Sequence, residues 1–464
     1  ILESVKEEGA IDVFVKALDT DTSVHLIVVE KDAKAPTHEE IKKHEAYSGV
    51  NIVSYLEGTG TLYKTIQGLE QAKAYDVYVT LFKNNLYAKE FYKTTCLTKT
   101  LDEVLDKGSG TNEDPFKIFS IEDLEKVASD AEGLNAFYSL QNDLDLSSKY
   151  GKDLLSFVPL SWQTGSLKAF NGYFNGNGHT IKNLYINETK ESIGLFGQIG
   201  EEGTVANLIL ENPYVATTGQ RLGAVVGYNK GSVVNVSVLG GKVESLVPAG
   251  GQAKVGGIVG DMYESGSILR CVSKTTVIAE GNNVGGISGS ADASTGKTQA
   301  LEIKNCYSLS DIKTNGKYAG GIVGYGRCIQ IENCYTLGTV EGGEGVGGIV
   351  GFLQQRSGSS IVPTTKNCFV LGTTITANGT NQSNNSGIVI GNRSTSNNTN
   401  PIVENLYYAD SALVGNQKKP LSIGEEVEAT SFADKNWLKT NVLMECNDVY
   451  WTMKADASRP TLVH

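Results

Sequence analysis

The hexapeptide VGGIVG occurs at Val255–Gly260 and again at Val346–Gly351, with near-copies VGGISG at Val284–Gly289 and AGGIVG at Ala319–Gly324. Looser versions are IGLFG (Ile193–Gly197), LGAVVG (Leu222–Gly227) and SGIVIG (Ser386–Gly391). The closing glycines stand at 197, 227, 260, 289, 324, 351 and 391, so the spacing varies while the phrase does not. A constant unit joined by variable loops is the mark of a solenoid, in which each unit buries its apolar face only by stacking on its neighbours.

Each unit carries a second phrase: VANL (205–208), VVNV (233–236), ILRC (268–271), IKNC (303–306), IENC (331–334), TKNC (365–368) and VENL (403–406). The third column is Asn207, Asn235, Arg270, Asn305, Asn333, Asn367 and Asn405. In a straight strand the first and third residues share a face, so burying Ile303 would bury Asn305 and expose Cys306. A corner at the Asn resolves the conflict, because Asn tolerates left-handed backbone. Its amide can then hydrogen-bond to the coil above or below, forming a ladder.

The fourth column reads Leu, Val, Cys271, Cys306, Cys334, Cys368, Leu, a slot for a small apolar side chain. Free cysteine packs in that way. Metal-ligand CxxC spacing is absent and stacked side chains point in one direction, which suits neither a disulfide nor tetrahedral zinc. The four cysteines are therefore expected in the core, and no metal or other cofactor is expected. In the glycine phrase, the column Leu195, Val225, Ile258, Ile287, Ile322, Ile349, Val389 admits no polar residue and should face inward, each phrase forming one rung of stacked parallel strands.

The pattern over residues 1–100 differs. Short alternating segments such as IDVFV, VHLIVVEK, TLYKTI and YDVYVTLF predict a β-sandwich, with a short helix in APTHEEIKKHEA. Residues 101–113 read as a linker. Ser120 is placed to cap a helix through Asp123, with Ile121, Leu124 and Val127 on one face, covering the open end of the array.

A net charge of −12 argues against nucleic acid and anionic membrane as partners. No apolar run is long enough to span a bilayer. Starting at Ile1, the chain reads as a trimmed piece of a longer protein, with any export signal or lipid anchor outside it. ADASTGKT (291–298) satisfies a relaxed nucleotide-binding pattern but is followed by the next rung rather than by a helix. Asp143, Asp145 and His179 are the nearest approach to catalytic groups, and turn roles suffice for all three. Polar inserts at 290–300, 354–365, 378–386 and 392–401 should gather on one side, because the units stack in register. Tyr228, Tyr325 and Phe352 each follow a closing glycine, and an aromatic stripe beside polar inserts suits sugar rings; rings that only cap the core are the alternative.

At GLFG (194–197) and the GGIVG…NC units, the chain resembles bacterial surface proteins built on the GLUG motif, over roughly residues 190–410. The segments DPFKI (114–118), FYSLQNDLDL (137–146) and FNGYFNGNGHTIKNL (170–184) resemble the lead-in to such arrays, and VYWTMKADASRPTL (449–462) resembles their ending. Leu69 and Tyr75 in GLEQAKAYDVYV resemble the tyrosine corner of fibronectin type III domains. The resemblance implies an all-β chain: a fibronectin-like sandwich over 1–100, the linker 101–113, and a lead-in with capping helix over 114–190. A right-handed parallel β-helix over 191–410 and a C-terminal coil and cap over 411–464 complete it. It implies a monomeric, non-catalytic, adhesin-like protein, secreted or on the cell surface, that binds glycan or a host or bacterial surface protein. A carbohydrate-active enzyme and a pure stalk are the alternatives. Arg270 in the Asn column, and Asn175 where an acid is often found, depart from the family pattern.

Overall fold

The structure is a computed structural model; it describes residues 2–4, 10–17, 19–70, 73–97, 107–163, 165–379, 386–394, 400–409, 413–415, 423–441, 451–452 and 461–462. The chain is all-β and divides into two compact units, Ile1–Ser109 and Gly110–His464. Residues 101–106 of the linker, parts of the inserts at 378–386 and 392–401, and about half of the C-terminal segment lie outside the described residues.

In the first unit Leu2–Ser4, Ile11–Lys16 and Thr61–Ile66 make one antiparallel sheet. Ser54–Thr59, Ser23–Glu30, Ala74–Lys83, Leu86–Tyr87 and Tyr92–Leu97 make the other. The alternation predicts the buried face: Ile11, Val13 and Val15 pack with Val24, Leu26, Val28, Tyr75, Val77 and Val79. Ser23–Glu30 is buried on both faces, because Ile27 and Val29 also pack with Ile41 of a helix spanning His38–Lys43. That helix starts where its sequence says it should. The Thr37 side chain accepts from the Glu40 N–H, and the Glu40 carboxylate accepts from the Thr37 N–H at 2.7 Å, a reciprocal cap. The Tyr75 hydroxyl accepts from the Glu70 N–H at 3.0 Å, tying the strand to the segment just before it.

In the second unit, one coil runs through Leu301–Lys304, a corner at Asn305, Tyr307–Ser308, Asp311–Thr314, Lys317–Gly320, a glycine corner and Val323–Arg327. The next coil lies over it in parallel register, Ile303 on Ile331, Tyr307 on Tyr335, Ile312 on Val340, Ala319 on Val346 and Val323 on Val350. The seven-fold apolar column of the glycine phrase is fully buried.

One expectation needs correction: the glycine phrase is not a single rung. Its first two residues end a strand of one seven-stranded parallel sheet and its last two begin a strand of another, so the phrase is the corner between two rungs. Glycine is required there by close approach. A Cβ at Gly320 would lie 2.0 Å from the Val323 carbonyl oxygen. The stack also reaches upstream of the repeats, since Phe116–Ile118, Phe137–Leu140 and Tyr173–Asn175 pair in parallel beneath Thr204–Glu211. The helix Ile121–Glu125, capped by the Ser120 hydroxyl on the Asp123 N–H, feeds Leu124 into the same core, and the turn after it adds Val127.

Asn207, Asn235, Asn305, Asn333, Asn367 and Asn405 all have φ between 48° and 55°, in the left-handed region. Their amides form the ladder: Nδ2 of Asn235 donates to Asn207, Asn333 to Asn305, Asn367 to Asn333 and Asn405 to Asn367, at 2.9–3.2 Å. Asn175 seats the ladder, its Oδ1 accepting from Asn207 at 3.0 Å. Arg270 interrupts the amides but keeps the corner, with φ 54°. Cys271, Cys306, Cys334 and Cys368 are free thiols in the core. Burial pushes the Cys306 and Cys368 thiols up, so they stay protonated and donate to backbone carbonyls.

Candidate functional site

The residue after each closing glycine emerges on the outer face of the second seven-stranded sheet. Register places Gln198, Tyr228, Asp261, Ser290, Tyr325, Phe352 and Asn392 in one column. The residues Arg221, Lys254, Asn283, Tyr318 and Gly345, each just before a phrase, lie on the adjoining sheet, and the backbone is left-handed at the last four (φ 47°, 67°, 68° and 62°). The glycine corner folds the two sheets so that these two columns face each other. Between them runs an open groove of roughly 690 Å³.

Within one coil, the residues flanking the phrase meet across the groove. The Arg221 guanidinium lies over the Tyr228 ring at 4.4 Å, and Lys254 Nζ sits 2.6 Å from Asp261 Oδ2. Tyr318 packs on Tyr325 and Phe352 at centroid distances of 5.6 and 4.6 Å. All three aromatic residues that the sequence singles out therefore line one groove, but they do not form a continuous stripe. Tyr325 and Phe352 stack at 5.6 Å and 11°, whereas Asp261 and Ser290 stand between them and Tyr228. Sequence reasoning missed Arg221, Lys254, Asn283 and Tyr318. The signal available was the fixed spacing across each phrase, Arg221 to Tyr228, Lys254 to Asp261, Asn283 to Ser290 and Tyr318 to Tyr325.

Both acids in the groove are clamped by cations. Asp261 Oδ2 takes Lys254 and Arg221, the latter at 3.3 Å. Asp292 takes Arg327 at 2.6 Å and Arg356 through two bonds of 2.8 and 3.1 Å. Because Asp292 and Arg356 come from the inserts at 290–300 and 354–365, these two loops do gather on one side. Burial pushes the Tyr325 hydroxyl up to about 12, keeping it a donor, and it donates to Gln354 Oε1 at 3.0 Å. Three buried polar atoms in the lining have no hydrogen-bond partner within the protein: Asp261 Oδ1, Asn283 Oδ1 and Arg327 Nε. Two acceptors and one donor of the lining are thus left unsatisfied by the protein itself.

Asp261 should also matter for stability. Replacing it with Ala leaves Lys254 without this counter-ion and Arg221 with only the more distant Glu191 at 3.9 Å, both cations being about three-quarters covered. The expected loss is about 1–2 kcal/mol, discounted for the partial exposure of both cations, and readable by denaturant titration.

The other candidates resolve into structural roles. Asp143 Oδ1 accepts from the Thr180 N–H at 2.9 Å, which with His179 at 3.2 Å holds its carboxyl below the usual range. Asp145 caps a short 3₁₀ turn through the Ser147 N–H and accepts from Asn183. ADASTGKT leaves the strand Ser288–Asp292 as a loop, with Lys297 Nζ 3.1 Å from Glu264 and no helix following.

No family model matches the chain. Among the described residues no helix is long and apolar enough to cross a membrane. Over 189 residues, 39% of its length, the chain is 33% identical to Halomucin of Haloquadratum walsbyi. Over 134 residues, 28% of its length, it is 36% identical to a putative Gly-rich membrane protein of Evansella cellulosilytica. The matched parts amount to 2% and 15% of those proteins, so the chain spans only a small part of either relative.

Proposed function

We propose that this chain is the adhesive part of a surface or secreted protein and binds glycan, without cleaving it, in the groove between the two seven-stranded sheets. The observation that carries the reading is the lining of that groove. Aromatic rings at Tyr228, Tyr318, Tyr325 and Phe352 adjoin buried polar atoms that lack partners of both hydrogen-bonding senses. Sugar hydroxyls both donate and accept, and their C–H faces pack on aromatic rings, so one ligand class matches the whole lining. Glycoside hydrolysis needs one carboxyl able to hand over a proton and a second acting as base or nucleophile. Asp261 and Asp292 are each engaged by two cations, which favours retention over cleavage. The same reading takes the second unit as a GLUG-type parallel β-helix and the first as a fibronectin type III-like spacer. The in-register coils and the Tyr75 hydroxyl tie support it. The names Halomucin and Gly-rich membrane protein agree with placement at a cell surface.

The test is a glycan array probed with the full chain, then calorimetry on the best oligosaccharide. Binding without new reducing or unsaturated ends is expected, and Tyr325→Ala and Phe352→Ala should each weaken it at least ~10-fold. Cleavage products would establish the enzyme instead. An array with no bound glycan would leave the chain as a stalk.

A further inference from the structure

We propose that His25, His44 and Glu57 in the first unit form a binding site for a divalent transition-metal ion of the zinc class. This site is separate from the groove and independent of the glycan reading. His25 and Glu57 are direct cross-strand partners on Ser23–Glu30 and Ser54–Thr59. His44 ends the helix His38–Lys43 in a left-handed conformation, φ 57°, which turns its ring onto the same strands. One ligand atom from each of the three residues lies within 4.8 Å of the others. His25 Nδ1 is 3.7 Å and His44 Nδ1 4.0 Å from the Glu57 carboxylate.

Hydrogen bonding within the protein does not account for the trio. His25 Nδ1, which faces Glu57, is buried without a hydrogen-bond partner, and on His44 the Nε2 is likewise unpartnered while Nδ1 faces the carboxylate. Burial pulls both imidazoles below their ordinary value, which keeps a ring lone pair available at neutral pH. Lys42, whose charge acts weakly on His25, lies over the Phe82 ring at 3.5 Å. Tetrahedral ligands about 2.0–2.2 Å from zinc stand ~3.3–3.6 Å apart, so the 3.7 and 4.0 Å spacings between Glu57 and the two imidazoles need only a small contraction. Glu57 can supply it, because its side chain is 64% exposed while the two histidines are held at 10–11%. Two imidazoles and one carboxylate select zinc-class ions over calcium or magnesium and leave a fourth position for water. Bound there, the ion would clip Ser54–Thr59, an edge strand of its sheet, to its neighbour and to the helix end.

Cobalt(II) added to the metal-stripped full chain should give the visible absorption of a four-coordinate site, bleached by one equivalent of zinc. Glu57→Gln, a surface change that spares the fold, should weaken binding at least ~10-fold, and His25→Ala and His44→Ala should abolish it. Circular dichroism checks the fold of each variant. The Tyr325→Ala groove variant should bind metal as the parent does, so loss of glycan binding and loss of this site are separable. Absence of the cobalt band up to millimolar metal, or a band unchanged in Glu57→Gln and both histidine variants, overturns the proposal.

Discussion

Gly321→Ala is expected to destabilise the stacked coils by at least ~4 kcal/mol, enough to abolish soluble expression or to shift the denaturation midpoint far below the parent. Gly321 is the second glycine of AGGIVG, at the corner where the chain passes between the two seven-stranded sheets. A Cβ there would lie 2.0 Å from the Gly348 carbonyl oxygen and 2.6 Å from Thr336 Oγ1. Gly348 is the same position one coil on, and the contact recurs: Gly286 meets the Gly321 carbonyl at 2.2 Å and Gly257 meets that of Gly286 at 2.3 Å. The obstacle is backbone, so relief requires separating coils that their own hydrogen bonds hold about 4.8 Å apart. Gly326 is the control. The nearest atoms to its Cβ would be side-chain atoms of Ile329 and Leu353, at 3.1 and 3.3 Å, with the Phe352 carbonyl oxygen at an ordinary 3.9 Å, and Gly326→Ala should change stability by less than ~1 kcal/mol. Equal midpoints for the two variants would show that the phrase is conserved in the chain for some reason other than coil spacing.

What the sequence reveals about this protein depends on whether a feature repeats. The Asn corner was legible because burying Ile303 and Cys306 together contradicts strand alternation, and the same contradiction recurs at Ile331 and Cys334. The groove was half legible. Tyr228, Tyr325 and Phe352 stand out as residues following a glycine. Arg221, Lys254, Asn283 and Tyr318 precede their phrases and line the groove, the last three from left-handed backbone, a conformation Lys and Tyr seldom signal. An outward stack of Tyr307, Tyr335 and Phe369 was also missed. It follows the cysteine column at ring distances of 4.8 Å, and its cover comes from Phe432, about sixty residues on in a segment with no repeat. His25, His44 and Glu57 had no local signal at all, since strand register and a helix end bring them together. Periodicity makes a stacked column readable; a contact made once by distant segments is not.

The ladder can be dissected at Asn333. Its amide donates to Asn305 at 3.2 Å and accepts from Asn367 at 3.1 Å, and its φ is 53°. Asn333→Gly keeps the backbone comfortable and removes both bonds, an expected loss of about 1–2 kcal/mol. Asn333→Ala removes the same bonds and also forces a Cβ into left-handed backbone, which adds about 1–2 kcal/mol, so the total is roughly 2–4 kcal/mol. The difference between the two variants therefore measures the corner, and the Gly variant alone measures the amides. Arg270→Asn works in the opposite direction, because Arg270 already holds φ 54° between Asn235 and Asn305. Restoring an amide there should bridge the two halves of the ladder and raise stability by about 1 kcal/mol, net of the contacts Arg270 gives up. Denaturant titrations of the three variants decide the matter. If Ala and Gly at position 333 are equivalent, the left-handed corner carries no energy, and the alternation of buried Ile and Cys must be reconciled by some other bend in the strand.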